Sequence, residues 1–149
     1  MSDSKKPSIP SYLKNFQHPD QFGIWLGYKI KNFSPEKKCA ETELQIRKDH
    51  LSPAGRVHGG VVSAFFDFSC GAAVFSTLGD NDYCSTIELK INYLKPVELG
   101  NLLTCKAQVV FRGKRLCVIQ GSVFSDGQED PVAIGLATFN VATAKVPSK

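Results

Sequence analysis

Residues 55–78 read GRVHGGVVSAFFDFSCGAAVFSTL, the most apolar segment from which the architecture can be inferred. From Gly59 to Leu78 it holds one charged side chain, Asp67, among apolar and small residues. A run of that length could also span a membrane, but a central Asp costs about 2.5–3.5 kcal/mol on insertion scales. We therefore predict a helix over residues 58–78 that its own protein buries on most sides, with Gly79 as its C-terminal cap.

Alternation of apolar and polar residues predicts strands on both sides of this helix. In residues 84–94, for example, Ile87, Leu89, Ile91 and Tyr93 alternate with polar side chains, which indicates one buried face. The predicted strands cover residues 22–33 and 39–47 before the helix, and residues 84–94, 103–111, 116–124 and 132–141 after it. Short connections favour an antiparallel meander for the last four strands.

These elements predict one α+β domain, in which an antiparallel sheet curls around the long helix. The last two strands carry small residues that would let the helix pack close to the sheet: Gly121, Ala133, Gly135 and Ala137. The domain is predicted to cover residues 21–145, after a polar tail and a short helix within residues 1–20.

Composition excludes several classes of protein. The 149 residues carry 18 Lys plus Arg against 14 Asp plus Glu, a dispersed net charge of +4 that gives no argument for nucleic acid. Five cysteines without a Cys-x-x-Cys pair, and three histidines, form no metal-binding pattern. No phosphate loop or dinucleotide fingerprint occurs, so no cofactor is expected. The polar N-terminus lacks the apolar region of a secretory signal, so we expect a cytoplasmic protein with reduced thiols.

Two features of the central stretch are candidates for chemistry. Gly59-Gly60 lies at the predicted helix N-terminus, where free N–H groups favour negative charge such as an oxyanion. A plain loop, in which the glycines permit a tight turn, is the equal alternative. Burial of Asp67 in the helix would raise its pKa and suit a general base. The alternative is a structural Asp that bonds to backbone or to a partner subunit.

Other polar residues near this stretch give weaker signals. Thr86 begins the strand after the helix and is, on its own, typical of a solvent-facing threonine. His50 and His58 lie in or beside the loop, where a histidine more often binds backbone than catalyses. The Gly-x-Ser-x-Gly motif of serine hydrolases is absent from the sequence.

Taken together, these residues resemble a known family. The pattern is Gly55-x-x-His58-Gly59-Gly60, then Asp67, then Thr86-x-x-Leu89-x-Ile91-x-Tyr93-Leu94-x-Pro96. It is similar to that of the hotdog-fold acyl-CoA thioesterases, in the PaaI-like (phenylacetic acid degradation) branch of the 4-hydroxybenzoyl-CoA thioesterase superfamily. The likeness runs from about residue 44 to residue 141.

The resemblance implies a long helix wrapped by an antiparallel sheet, paired into a homodimer or a dimer of dimers with active sites at the dimer interface. Asp67 would be the general base or the nucleophile in hydrolysis of an acyl-CoA thioester. The Gly60 backbone N–H would polarise the thioester carbonyl, within the motif that includes His58 and Gly59. Thr86, from the facing subunit, would help to place the water.

Further binding residues follow from the same resemblance. Arg112, Lys114 and Arg115, with Arg56 near the helix start, would contact the coenzyme A part of the substrate. Ser52 stands where many members carry the Asn that contacts the thioester or water, six residues before the His. Ser has a shorter reach and no amide, and His50 or Arg56 are the candidates to compensate.

Three other functions stay open on the sequence alone. A non-catalytic acyl-CoA-binding domain is favoured by Ser52 and predicts binding without hydrolysis. An enoyl-thioester hydratase would need a His near Asp67, and no His lies three or four residues from Asp67, where it would share its face of the helix. A purely structural interaction protein leaves a buried Asp67 unexplained. The acyl group is not determined, because the aromatic residues of the helix are first of all candidates for the core: Phe65, Phe66, Phe68 and Phe75.

Overall fold

A computed structural model describes residues 19–144, so the short helix expected before residue 19 lies outside the described residues. The fold is α+β, with six antiparallel strands and one long helix, as the sequence predicts. Two helices and six strands follow one another as α1 (Gln21–Leu26), β1 (Lys29–Ser34), β2 (Cys39–Gln45), α2 (Gly59–Phe75), β3 (Asp82–Tyr93), β4 (Leu102–Arg112), β5 (Leu116–Ser125) and β6 (Ala133–Thr143). A short 3-10 turn, Lys48–His50, lies between β2 and α2.

The strand order across the sheet is β1-β2-β4-β5-β6-β3. The expected meander of the last four strands is therefore wrong in one place, because β3 pairs with β6 and not with β4. The free edge of β4 is taken by β2, in a register that runs from Cys39 opposite Gln108 to Gln45 opposite Leu102. This pairing leaves β3 at one edge of the sheet and β1 at the other.

Helix α2 packs across the sheet and supplies the centre of the core. Phe65 and Phe66 are fully buried. A Cβ on Gly121 would lie 2.6 Å from the Phe66 ring, and a Cβ on Gly135 would lie 2.9 Å from the same ring. The prediction that small residues on β5 and β6 make room for the helix is thus confirmed.

The C-terminal end of α2 differs from the prediction. The helix ends at Phe75, three residues before Leu78, and Gly79 is not its cap. The Ser76 hydroxyl donates to the Ala73 carbonyl at 2.6 Å, and the Thr77 hydroxyl donates to the Val74 carbonyl at 2.8 Å. Because these hydroxyls satisfy the last carbonyls, the helix needs no left-handed glycine to stop.

The segment predicted as a strand over residues 22–33 is a strand only in its second half. Its first half is α1, which Asp20 caps by accepting the Gly23 N–H at 2.8 Å. Gly27 ends the helix in the left-handed region, at φ 85°. The two caps override the apolar alternation on which the strand prediction rested.

Two of the four alternating apolar residues of β3 are exposed, although the alternation predicts one buried face. Ile87 is 57% exposed and Tyr93 is 52% exposed, while Leu89 and Ile91 are partly buried. A bulge between Thr86 and Glu88 breaks the pairing with β6 at Ile87.

Within residues 19–144 no helix is long and apolar enough to cross a bilayer.

All five cysteines are free thiols. Cys70, Cys105 and Cys117 are buried, and Cys39 and Cys84 are partly buried. Burial raises the pKa of Cys84 and of Cys105 to about 12, because a thiolate is poorly solvated there. Burial also raises the pKa of Cys70 and of Cys117.

Candidate active site

His58 fixes the first turn of α2 through three hydrogen bonds. Its Nδ1 accepts the Gly60 N–H at 3.0 Å and so caps the helix. Its own N–H donates to the His50 carbonyl at 2.9 Å, and its carbonyl accepts the Val61 N–H at 2.9 Å. His58 therefore caps α2, and all three of these hydrogen bonds join it to backbone groups.

The free donor at this helix terminus is the Gly59 N–H. Among residues 19–144 it has no hydrogen-bond acceptor, and Gly59 is exposed. Gly60, the donor that the resemblance implies, already gives its N–H to His58. The positive end of the helix dipole adds to the attraction of an amide at this position for negative charge.

Asp67 lies half-buried on α2, eight residues after Gly59. The Thr86 hydroxyl donates to its Oδ1 at 2.8 Å. Burial raises the pKa of Asp67, and the hydrogen bond from Thr86 offsets part of that rise. A carboxylate in this setting is a stronger base than an exposed one and has one oxygen already oriented.

Thr86 belongs to the same chain as the Asp67 that it contacts. The resemblance implies Thr86 from a facing subunit; within one chain, β3 runs beside α2 and already brings Thr86 and Asp67 together. The bulge after Thr86 lies at this point of the strand. Asp67 and Thr86 therefore form one unit.

The two ends of the candidate site are too far apart within one chain. Eight residues of α-helix separate Gly59 from Asp67, which is about 12 Å along the axis. The first N–H groups of a helix also point toward its N-terminus, away from Asp67. One thioester carbonyl cannot contact both groups of the same chain in a reacting geometry.

Ser52 and Arg56 lie on the tight turn that leads into α2. The Ser52 N–H donates to the Arg56 carbonyl at 2.7 Å, and the Gly55 N–H donates to the Ser52 carbonyl at 2.9 Å. Leu51 and Val57 pair across this turn. The Arg56 side chain is exposed and the Ser52 side chain is partly so, close in sequence to the Gly59 donor.

His50 does not reach this surface. Its side chain is fully buried, its Nδ1 accepts the Arg47 N–H at 3.3 Å, and the Trp25 ring lies against it in an edge-on contact at 5.6 Å. Burial is the main cause that lowers the pKa of His50, and the Arg47 charge adds to it. Its contribution to the site is the carbonyl that holds His58, so His50 does not compensate for Ser52.

The basic hairpin of Arg112, Lys114 and Arg115 lies at the other end of α2. The Arg112 Nε donates to the Thr77 hydroxyl at 3.0 Å, and its guanidinium also donates to the Gly113 carbonyl. Helix α2 has 17 residues, a length of about 25 Å. The structure therefore does not bring this hairpin to Gly59 within one chain, and it leaves Lys114 and Arg115 exposed.

One residue that contacts the helix start was not among the candidates from the sequence. The Tyr93 hydroxyl donates to the Gly59 carbonyl at 3.0 Å. The alternation of β3 assigned Tyr93 to a buried face, and only the position of the strand end beside α2 shows the contact.

Within residues 19–144, no three His, Cys, Asp or Glu side chains are grouped to hold a metal ion.

Residues 54–132 match the family model described as the thioesterase superfamily. A Saccharolobus solfataricus protein assigned to the esterases is 39% identical over 106 residues, covering 71% of this chain and 69% of that protein.

Solved structures share the whole fold. A phenylacetic acid degradation-related protein from Ralstonia eutropha JMP134 matches with a TM-score of 0.77 and 30% identity, covering 87% of this chain and 97% of that one. A point mutant of the phenylacetic acid degradation protein PaaI from Thermus thermophilus matches with a TM-score of 0.72 and 25% identity, covering 81% of this chain and 98% of that one.

Proposed function

Since the chain belongs to the thioesterase superfamily, in its PaaI-like hotdog branch, we propose that it hydrolyses acyl-coenzyme A to the free acid and coenzyme A. The observation that carries the proposal is the Thr86–Asp67 hydrogen bond of 2.8 Å on a helix that has no other charged residue. A lone carboxylate there is costly unless it is paired or performs chemistry. The hydroxyl orients the carboxylate and leaves its other oxygen for a water.

In the proposed mechanism Asp67 takes a proton from a water as that water attacks the thioester carbonyl carbon. The tetrahedral oxyanion then collapses, the carbon–sulfur bond breaks, and the proton on Asp67 passes to the leaving sulfur. Direct attack by the Asp67 carboxylate, followed by hydrolysis of the anhydride, is the second route. The raised pKa of Asp67 makes its carboxylate a stronger base, which serves either route.

The Gly59 N–H takes the role of oxyanion donor in this proposal, in place of the Gly60 N–H. Gly60 is occupied by His58 Nδ1, whereas Gly59 has no acceptor among the described residues. Proline is well tolerated at the first helical position and lacks only this N–H. The preceding residue, His58, has φ −64° and ψ 133°, which a following proline permits.

Replacing Gly59 with Pro therefore tests the donor. We expect kcat to fall about 10²- to 10³-fold, the usual cost of losing one oxyanion donor. Gly59→Ala is the matched control, because it keeps the N–H and its Cβ would lie 3.6 Å from the Tyr93 ring, an ordinary contact. Equal activity of the two variants would exclude Gly59 as the donor.

We propose further that each site is built from two copies of the chain, as a homodimer. The separation of Gly59 from Asp67 within one chain requires a second copy to bring the two groups together. Within residues 19–144, strand β3 of 12 residues has one edge that no other strand pairs with, and Ile87 is exposed on it, so this edge can continue the sheet into a partner. A dimer of dimers would need another surface, and exposed Ile134 and Leu136 on β6 supply an apolar one.

The first experiment is thiol release from phenylacetyl-, benzoyl-, butyryl- and palmitoyl-CoA, with Asp67→Asn beside the wild type. Hydrolysis by the wild type that disappears in the variant supports the proposal and ranks the acyl groups. Near-normal activity of Asp67→Asn would refute the role of Asp67. Crotonyl-CoA tests the hydratase alternative, which the capping role of His58 and the burial of His50 disfavour.

A non-catalytic acyl-CoA-binding domain is the second candidate, and Ser52 is the observation that favours it. Its hydroxyl reaches less far than the Asn amide common in the family that the motifs resemble. This candidate predicts that the whole panel binds without thiol release. Substituting Ser52 with Asn would then be expected to introduce turnover.

A further inference from the structure

Tyr93, at the end of β3, contacts the helix start from outside the residues assigned so far. Its hydroxyl donates to the Gly59 carbonyl at 3.0 Å, and the atoms at the far end of its ring lie 3.6 Å from where a Gly59 Cβ would stand. Tyr93 and Gly59 also line one cavity of about 140 Å³ with Val62 and Lys95. The contact therefore borders the space beside the proposed donor.

The peptide group that follows the donor is held at both ends. In the Gly59–Gly60 peptide, the carbonyl accepts from Tyr93 and the N–H donates to His58 Nδ1 at 3.0 Å. The preceding His58–Gly59 peptide carries the donor N–H, and its carbonyl accepts the Val61 N–H at 2.9 Å. Both peptide groups on either side of the Gly59 Cα are therefore held by hydrogen bonds. The Gly59 N–H, which belongs to the first of them, is the donor left without an acceptor among the described residues.

These restraints matter because the segment consists of two glycines. Glycine has more backbone freedom than any other residue, so a Gly-Gly helix start frays easily. An oxyanion donor lowers a barrier only if it already points to where the charge develops. A tyrosine hydroxyl on a neighbouring strand is an anchor that α2 itself does not provide.

We propose that Tyr93 is a positioning residue for thioester hydrolysis, whose hydroxyl holds the Gly59–Gly60 peptide so that the Gly59 N–H faces the substrate carbonyl. The proposal rests on the function proposed above. Tyr93 touches neither the reacting carbon nor the water in this scheme. Its effect reaches the transition state through the backbone of Gly59.

The kinetic test compares Tyr93→Phe with Tyr83→Phe. Both tyrosines lie on β3 and both are exposed, but Tyr83 makes no contact with the helix start. Loss of the Tyr93 hydroxyl should lower kcat about five- to tenfold and leave KM within about twofold, as expected for one hydrogen bond that acts in the transition state. Tyr83→Phe should match the wild type. Wild-type kcat in Tyr93→Phe would overturn the proposal.

A spectroscopic test does not depend on turnover. Phenylacetyl-CoA with ¹³C at the thioester carbon is bound to Asp67→Asn, and its carbonyl stretch is measured by infrared difference spectroscopy. A positioned donor shifts this band to lower frequency, and adding Tyr93→Phe should remove part of the shift, while adding Gly59→Pro should remove it entirely. An identical band with and without the Tyr93 hydroxyl would overturn the positioning role.

The two experiments separate the two proposals. If the wild type releases no thiol from any acyl-CoA but the band still shifts with Tyr93, then hydrolysis is refuted, while the finding that Tyr93 orients the Gly59 N–H toward a bound thioester carbonyl stands. If the wild type hydrolyses the thioester while neither kcat nor the band responds to Tyr93, then only the positioning role is refuted. If no bound carbonyl band is found, both proposals are refuted.

Discussion

For the single residue Asp67, the ionised form that the proposed reaction needs is also the form that destabilises the folded protein. Its pKa in the folded chain is raised by burial, so folding favours the protonated form. The stability that belongs to this carboxyl is present below its unfolded pKa and is lost as the pH rises through its folded pKa. At neutral pH the ionised carboxylate therefore weakens the fold.

Replacing Asp67 with Asn should stabilise the protein while it removes activity. Asn keeps an oxygen for the Thr86 hydroxyl and carries no charge, so we expect about 0.5–1 kcal/mol of added stability at neutral pH. Denaturant unfolding at pH 7 and at pH 4 measures this, and the gain should shrink at the lower pH. A variant that is less stable than the wild type at pH 7 would contradict this interpretation of Asp67.

Removing the Thr86 hydroxyl should move the pH profile of hydrolysis. The hydrogen bond from Thr86 lowers the pKa of Asp67, so Thr86→Val should raise that pKa further. Because the base form is the active one, the acidic limb of kcat/KM against pH should shift to higher pH. Thr86→Ser, which keeps the hydroxyl, should leave the limb in place, and a limb that does not move in Thr86→Val would separate Thr86 from the base.

The sequence was sufficient to single out Asp67 as a candidate, because a single charge in an apolar run has few explanations. It could not choose between Gly59 and Gly60, since both are glycines at the same helix start. The choice depends on the imidazole of His58, which turns back to bind one of the two N–H groups. The contact of Tyr93 with Gly59 could not be predicted either. Strand alternation predicts which face of the sheet a residue lies on, but not which element lies beside the end of the strand.

Among the elements, β6 packs so closely against β3 and α2 at Gly135 that a side chain has no room there. Gly135→Ala should destabilise the protein by about 3 kcal/mol, because the new Cβ meets the backbone oxygen of Lys90, which cannot move aside cheaply. Thermal and urea unfolding measure the loss.

Gly71→Ala is the matched control for that change. Its Cβ would lie 3.7 Å from the Phe139 ring, an ordinary contact. Because alanine favours a helix interior over glycine, the control should gain about 0.5–1 kcal/mol. Equal losses in Gly71→Ala and Gly135→Ala would show that the close approach of the Lys90 backbone is not the reason for a glycine at position 135.

Element boundaries were the part of the fold that the sequence predicted least well. Strands β2 to β6 and the long helix were found, since each has a clear period or a long apolar run. Helix α1 was missed because its caps, Asp20 and Gly27, outweigh the alternation around them. The order of strands was missed in one place because the pairing of β4 with β2 depends on contacts between residues far apart in sequence.

At the scale of the whole molecule, the proposed site is shared between two chains, and mixing variants tests this. The Asp67→Asn chain still supplies the Gly59 N–H, and the Gly59→Pro chain still supplies Asp67. If the two pair at random in a two-fold dimer, half of the dimers are mixed and each holds one complete site, so about a quarter of wild-type activity should return.

The control for this experiment pairs Asp67→Asn with a chain that carries both substitutions, in which no complete site can form. Two affinity tags allow the mixed dimer to be purified and its thiol release to be measured. Activity no higher than that of the separate variants would show that the two groups do not meet across chains. The proposed dimer edge on β3 would then have no catalytic purpose.

The burial of the cysteines has a practical consequence for detecting the reaction. Release of coenzyme A is commonly followed with a dye that reacts with thiolates, and a chain with five free thiols is at first sight a poor subject for it. Four of the five have raised pKa values, two of them about 12. An unperturbed thiol, with a pKa of about 8.5, is ionised to a far greater extent near pH 8. The thiols of the folded protein should thus react slowly with the dye, whereas free coenzyme A reacts at once. The background rate, measured without substrate, therefore reports whether the core is intact.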